Sequence, residues 1–249
     1  MNSFRCQEVS KSFDGVHAVD DVTLEFPASG ITALIGPNGA GKTTLLNMLT
    51  GFLRPNAGHC FLGECETTHL SPHRIARMGV ARTFQDLRLI QQVSVLDNVM
   101  TARPNQRGER LFIALTRIGL AREERANRSK SLELLRFVGL ADKANDLAGE
   151  LSYGEQKLLT LSVCLATEAQ ILLLDEPVAG VAPQMVERIL GLLRELNKQG
   201  QRIVFIEHDI EAVRRTAETV IVMDDGKIIA QGKTQEVLER AEIMEAYLG

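Results

Sequence analysis

The stretch Gly36-Pro37-Asn38-Gly39-Ala40-Gly41-Lys42-Thr43-Thr44 constrains this chain more than any other, because it reads GxxxxGK[ST] between a β-like run and a helix-like run. Its glycines let the backbone bend until several N–H groups point inward, and the helix that starts there adds the positive end of its dipole. Such a loop cradles phosphates. Lys42 reaches the terminal phosphates and the Thr43 hydroxyl ligates Mg²⁺. A chance glycine-rich turn is the alternative, and the flanks speak against it. Ile31-Thr32-Ala33-Leu34-Ile35 precedes the loop and Leu45-Leu46-Asn47-Met48-Leu49 follows, the strand, loop and helix that the mechanism requires. The motif implies binding of a nucleoside triphosphate.

With 249 residues the chain accommodates one α/β domain, or one domain with an inserted lobe, around a sizeable core. A formal net charge of -4 argues against a protein that coats nucleic acid, so no nucleic-acid partner is expected. No run approaches the roughly 20 apolar residues that cross a bilayer, and Met1-Asn2-Ser3-Phe4-Arg5 lacks the apolar core of a signal peptide. The expectation is a cytoplasmic chain. Cys6, Cys60, Cys65 and Cys164 are scattered without a CxxC pair and read as reduced, structural thiols. A metal site from His59, Cys60 and Cys65 fits no common zinc spacing.

Phe4 to Phe26 alternates apolar and polar residues in two β-like pieces around the turn Asp14-Gly15. Phe13, just before that turn, reads evenly as a core aromatic or as a ring that stacks on an adenine face. After the loop helix, Pro55 and Gly58 mark a break, Cys60 to Gly63 a short return strand, and Ser71-Pro72 the start of a short helix ending near Met78. Gly79 to Gln85 is a strand running into a loop, which leaves Gln85 near a strand end, where most glutamines are solvated. From Leu87 to about Ala148 strand signals vanish and helical periodicity takes over. Within this stretch Thr101 to Arg110 reads as a loop, Leu111 to Leu115 as a packed helix face, and Arg122-Glu123-Glu124-Arg125 as a solvated helical surface.

Leu151-Ser152-Tyr153-Gly154-Glu155-Gln156 opens a long helix with Ser152 at the N-cap, a second anion-binding helix end. The apolar run Ile171 to Leu174 predicts a buried parallel strand, and it ends abruptly in Asp175-Glu176-Pro177. Beside a phosphate loop, Asp175 holds Mg²⁺ through its water shell and Glu176 polarises an attacking water; a solvated loop pair is the plainer alternative. A helix from Pro183 to Lys198, closed by Gly200, leads to the strand Ile203 to Ile206 and then Glu207-His208-Asp209. In a parallel sheet His208 stands at the level of the two carboxylates, which favours a γ-phosphate contact over an ordinary surface histidine. A hairpin around Asp225-Gly226 and a helix opened by Thr234 as N-cap close the chain. Val237, Leu238, Ala241, Met244, Tyr247 and Leu248 form one packing face of that helix.

In this order the motifs resemble the nucleotide-binding subunit of an ATP-binding cassette (ABC) transporter over nearly the whole chain. The resemblance implies an α/β fold: a P-loop NTPase core with a mainly parallel sheet, an N-terminal antiparallel β subdomain and an inserted α-helical subdomain. It implies one ABC ATPase domain over 1–249, with 1–86 and 166–249 as nucleotide-binding core and 87–165 as helical subdomain. Gly36 to Thr44 match the Walker A motif, Gln85 the Q-loop, Ser152 and Gly154 the signature motif, Asp175 the Walker B aspartate, Glu176 the catalytic glutamate and His208 the switch histidine. Phe13 falls at the family's adenine-stacking aromatic. ATP and Mg²⁺ are the implied cofactors, with Thr43, Gln85 and Asp175 toward the metal. The implied partners are a second ATPase subunit, a copy or a paralogue, paired head to tail; integral membrane permease subunits; and, indirectly, a substrate-binding protein. That places the chain peripherally on the inner face of the membrane.

Ala81-Arg82-Thr83-Phe84-Gln85, the Arg-rich insertion, Glu176-Pro177-Val178-Ala179-Gly180 and the terminal Ala246-Tyr247-Leu248-Gly249 resemble cassettes of branched-chain amino-acid importers. Urea and short-amide importers have closely similar ATPases. Tyr153 and Glu155 depart from the commonest signature, which has Gly and Gln there, and Ala182 stands where many cassettes carry an aspartate. A soluble cassette serving assembly, translation or repair is a competing class, though neither a second cassette nor a basic surface accompanies the motifs. A GTPase-like switch lacks its guanine-reading NKxD pattern.

Overall fold

The alternating N-terminal segment folds into a hairpin in the computed structural model, which describes residues 3–104, 106 and 120–240. Phe4–Phe13 (β1) and Val16–Glu25 (β2) pair antiparallel around Asp14-Gly15, with Phe13 opposite Val16. Phe4 and Cys6 on β1, and Val22 and Leu24 on β2, follow the period of two, and register shifts beside the left-handed residues Glu8 and Asp21 (both φ 51°) turn Val9 and Val19 inward as well. Ala57–Leu62 (β4) adds to β1 with Cys60 opposite Cys6, and Cys65–Glu66 (β5) completes a four-stranded sheet in the order β2-β1-β4-β5.

The apolar runs make a second sheet. Ile31–Ile35 (β3), Val80–Arg82 (β6), Ile171–Asp175 (β7) and Arg202–Ile206 (β8) are mutually parallel in the order β3-β8-β7-β6. Thr219–Asp224 (β9) joins β3 in parallel, and Lys227–Lys233 (β10) returns antiparallel at the edge. Every residue of β3 and β7 is buried, as a parallel strand covered on both faces requires. Lys42–Leu49 (α1) contributes Leu45, Leu46, Met48 and Leu49 to a core that also takes Phe4 and Leu62 from the first sheet and Leu34, Leu173 and Ile206 from the second.

The chain divides into two units, one of Met1–Arg82, Gln170–Ala179 and Val186–Gly249, the other of Thr83–Ala169 and Gly180–Met185. Both sheets and α1 lie in the first. It also holds Pro72–Arg77 (α2), Ile210–Thr216 (α7), Thr234–Leu238 (α8) and the apolar stripe Ile189, Leu190, Leu193 and Leu196 of Pro183–Lys198 (α6). Helix α8 departs from expectation at its start. Lys233 occupies the N-cap, while Thr234 is the first helical residue, buried, with its N–H donating to Glu218 O at 3.1 Å.

The second unit is helical, with an isolated bridge between Ser94 and Leu147. Val95–Thr101 (α3), Leu120–Val138 (α4) and Tyr153–Ala166 (α5) bury Val95, Leu96, Val99, Leu135, Val138, Leu158 and Leu159. Arg122, Glu124 and Arg125 are exposed, as a solvated helical surface requires. The run Leu111 to Leu115 and the face formed by Ala241, Met244, Tyr247 and Leu248 lie outside the described residues. Among the described residues no helix is long and apolar enough to cross a membrane. No group of three or more His, Cys, Asp or Glu gathers there to hold a metal, and His59 pairs with Glu66 at 2.8 Å rather than with the neighbouring thiols.

Candidate functional site

The phosphate loop is held by backbone contact on two sides. A Cβ on Gly36 would stand 2.0 Å from Met223 O of β9, and one on Gly41 2.1 Å from Ala18 O of β2, so only glycine admits these approaches. Gly41 also caps α1 with φ 94° and brings no side-chain acceptor to the first turn. The N–H groups of that turn therefore keep their donor capacity for an anion. Lys42 is almost wholly buried, and its Nζ donates to Gly36 O at 2.7 Å and Pro37 O at 2.8 Å. Burial pulls its pKa below the usual lysine value, while the carboxylates of Glu176 and Asp175 act in the opposite sense. Thr43 is exposed, Thr44 half-buried, Pro37 half-buried, and Asn38 and Gly39 exposed, whereas Ala40 is buried.

Asp175 ends β7 directly beside Ile206, the last residue of β8. Its buried carboxylate meets Arg82, whose Nη2 lies 3.4 Å from Oδ2. The same guanidinium donates through Nη1 to Asn47 Oδ1 at 2.8 Å and to Thr50 Oγ1 at 2.9 Å, tying α1 to the strand end. Thr43 on α1 and Asp175 on β7 offer hard oxygen donors, the chemistry that suits Mg²⁺. Glu176 extends the ladder by one bond, its N–H donating to Ile206 O at 3.0 Å, and then turns at φ 48°. A left-handed glutamate carries strain of about 1 kcal/mol or more, which points to a constrained position at this turn.

His208 follows β8 and reaches the same level, with Nδ1 3.9 Å from Glu176 Oε1. Between them in sequence, Glu207 is fully buried. Asp209 caps α7 by accepting from Glu211 N at 2.9 Å and Ala212 N at 3.1 Å, a structural task. Phe13 is 46% exposed at the end of β1, with Lys11 Nζ over its ring at 5.4 Å from the centroid, which overturns the core alternative.

The structure thus brings the phosphate loop, Asp175, Glu176, His208 and Phe13 into the first unit. Gln85, exposed three residues beyond β6, and Ser152 and Gly154 belong to the second. Ser152 caps α5 in a reciprocal box: its Oγ accepts from Glu155 N at 3.4 Å, and Glu155 Oε2 accepts from Ser152 N at 3.0 Å. Lys143 Nζ donates to the other Glu155 oxygen at 2.6 Å and holds that carboxyl below its usual pKa, with the Ser152 bonds adding to the effect. This accounts for glutamate at position 155. Sequence reasoning assigned no task to Arg82 or Glu207; the isolated charges within the apolar contexts Val80-Ala81-Arg82 and Ile203-Val204-Phe205-Ile206-Glu207 were the available signals.

A family model described as ABC transporter matches residues 19–179. The high-affinity branched-chain amino acid transport ATP-binding protein LivG of Salmonella typhimurium is 38% identical over 239 residues, 95% of this chain and 94% of that protein. The ADP conformation of MJ1267, an ATP-binding cassette of an ABC transporter, superposes with a TM-score of 0.86 at 31% identity, covering 100% of this chain and 99% of the other. The dimeric post-hydrolysis state of the ATP-binding cassette MJ0796, bound to ADP and Pi, gives 0.78 at 25% identity, covering 93% and 98%. Similarity that runs through both units, and a family match that spans the loop, Gln85, the cap of α5 and the carboxylate pair, mean that this chain belongs to the ABC transporter family.

Proposed function

We propose that the chain is the ATP-hydrolysing subunit of an importer for branched-chain or other hydrophobic amino acids. It works as half of a head-to-tail pair, of two copies or of a copy and a paralogue, docked on permease subunits at the inner face of the membrane. The names of its relatives support the cargo class. The observation that carries the chemistry is the placement of Glu176 on a strained turn directly after the strand-end Asp175, 3.9 Å from His208.

Phe13 stacks on the adenine, and the N–H groups of the loop and first turn of α1 receive the phosphates. Lys42, already stripped of water and bonded to carbonyls, places its charge on the terminal phosphates. Thr43 and Asp175, with Gln85 by family resemblance, would hold Mg²⁺, which supplies charge neutralisation on the phosphoryl oxygens when bound. Glu176 takes a proton from the water whose oxygen attacks the γ-phosphorus; the bond to the β-phosphate oxygen breaks, and ADP and phosphate leave. His208 donates to the γ-phosphate. Ser152 and Gly154 present the capped end of α5 to the nucleotide of the partner subunit, so ATP joins the pair and hydrolysis releases it.

The test is Glu176→Gln. Turnover falls roughly 10²- to 10⁴-fold, the usual worth of a positioned base, while ATP binding persists and dimers accumulate with ATP. Near-normal turnover removes Glu176 from its role. Uptake of labelled leucine and of urea by vesicles that carry the chain with its permeases separates the two cargo classes, and recovery from cells with ribosomes or DNA but no permease refutes transport.

A further inference from the structure

Glu207 is a carboxylate with no exposed surface, placed where β8 leaves the sheet. Its Oε1 accepts the N–H of Val178 at 2.9 Å, and its Oε2 accepts the N–H of His208 at 3.2 Å. Val178 lies in the loop that follows Glu176, and His208 is the second residue of the loop that follows β8, directly after Glu207. One side chain therefore joins the two loops that carry Glu176 and His208. The His208 ring stands 3.8 Å from the same Oε2, and Glu176 is close enough to act on Glu207 electrostatically. Burial pushes the Glu207 carboxyl above its usual pKa, and the two N–H donors work against that.

A buried carboxylate is a demanding choice, since taking its charge out of water is strongly unfavourable unless hydrogen bonds replace the lost solvation. Packing alone does not need it, because Ile203, Val204, Phe205 and Ile206 fill the preceding positions with apolar side chains. The two N–H donors explain the choice. They come from different loops, and a carboxylate is the side-chain group with an acceptor oxygen for each. A glutamine has one acceptor and one donor, so one of the two amides would face an NH₂ group; an aliphatic residue would orphan both.

We infer that Glu207 is a positioning residue for hydrolysis: by gathering the main-chain amides of Val178 and His208 on one carboxylate, it fixes the spacing between Glu176 and His208. This rests on the hydrolytic reading of Glu176 and assigns a further residue to it. Small displacements of a reacting group are expensive, about 10²-fold for 1 Å, whereas ground-state binding by Lys42 and its loop is untouched.

The experiment is steady-state ATP hydrolysis by the full chain carrying Glu207→Gln and, separately, Glu207→Asp, which keeps the charge but is one methylene too short to serve both amides. The expected result for each is a kcat lowered roughly 10- to 100-fold with KM for ATP within about 2-fold of the parent. The amide resonances of Val178 and His208 should shift, and their hydrogen-exchange protection should fall. Parental kcat in Glu207→Gln overturns the inference, as does parental kcat in Glu207→Asp, which would show that charge alone is needed. A rise in KM that matches the loss of kcat, or failure of both variants to fold, assigns Glu207 to stability and equally overturns it. Glu176→Gln, run alongside, separates the two levels. Parental turnover there removes the hydrolytic reading itself, whereas slow Glu176→Gln with fast Glu207→Gln removes only the positioning role.

Discussion

The guanidinium of Arg82 lies 3.4 Å from the carboxylate of Asp175, with 4% and 5% of the two side chains exposed. Its bonds to Asn47 and Thr50 make it a joint between β6, α1 and β7. Removing one partner of such a pair takes from the buried carboxylate its directly bonded counter-charge, with the Lys42 ammonium acting on it as well, and destabilises by about 3 kcal/mol or more. Arg82→Met should therefore lower the urea midpoint by that equivalent, and Arg82→Met combined with Asp175→Asn should recover part of it. A single-variant loss below about 1 kcal/mol would show that Asp175 is compensated from elsewhere.

Lys42 already forms two charged hydrogen bonds to Gly36 O and Pro37 O, so its ammonium is fixed within the loop. A hydrogen bond to a charged group contributes about 1.5 to 3 kcal/mol, and Lys42→Ala should weaken ATP binding roughly 10- to 100-fold. Titration with a fluorescent ATP analogue measures this, with circular dichroism to verify folding. Unchanged affinity would take the lysine out of phosphate binding.

What was legible in the sequence was local. The phosphate loop, the parallel strands β3, β7 and β8, and the closure of α6 at Gly200 each leave a signature within a few residues, and strand order alone brings His208 level with Asp175 and Glu176. What was not legible joins distant segments. Arg82 meets residues 32, 35 and 93 positions away, and Glu207 meets Val178 29 positions away; no periodicity encodes such pairs. Phe13 was ambiguous because alternation at a hairpin tip does not say which face finds cover. The Ser152-x-x-Glu155 box could be read as a cap, but Lys143, which engages its second oxygen, could not.

The thiols divide sharply by environment. Cys65 is exposed, while Cys6, Cys60 and Cys164 are buried. Burial pushes Cys6 up to about 12, with Cys60 across the strand adding to it, Cys60 up to about 11, with Glu66 adding, and Cys164 up to about 12. Thiolate is the reactive form, so at pH 8 an aromatic disulfide reagent should modify Cys65 rapidly and the other three only as the chain unfolds. The linkage has a definite sign. The folded chain retains these protons above the ordinary thiol value of 9.0, the unfolded chain releases them, and stability present below pH 9 is lost as pH rises toward 11 and 12. Urea midpoints at pH 8 and pH 10.5 measure this loss. Rapid reaction of all the thiols in the folded chain would contradict the burial.

Gly41 carries two constraints at once, and a paired substitution separates them. At φ 94° an alanine pays the left-handed penalty, and its Cβ would also stand 2.1 Å from Ala18 O, a main-chain atom that moves only if β2 moves. Gly39 shares the first constraint at φ 86° but meets nothing within 4 Å. Gly39→Ala should then cost about 1 kcal/mol, and Gly41→Ala about 3 kcal/mol or more, because overpacking adds to backbone strain. Urea melts of the two variants give the difference directly. Gly41→Ala should also weaken nucleotide binding, since the N-cap of α1 shifts along with the N–H groups that receive the phosphates. Equal destabilisation by the two substitutions would mean that the loop is shaped by its own dihedral preferences; a clear excess for Gly41 would mean that the surrounding sheets hold it in shape before any nucleotide arrives.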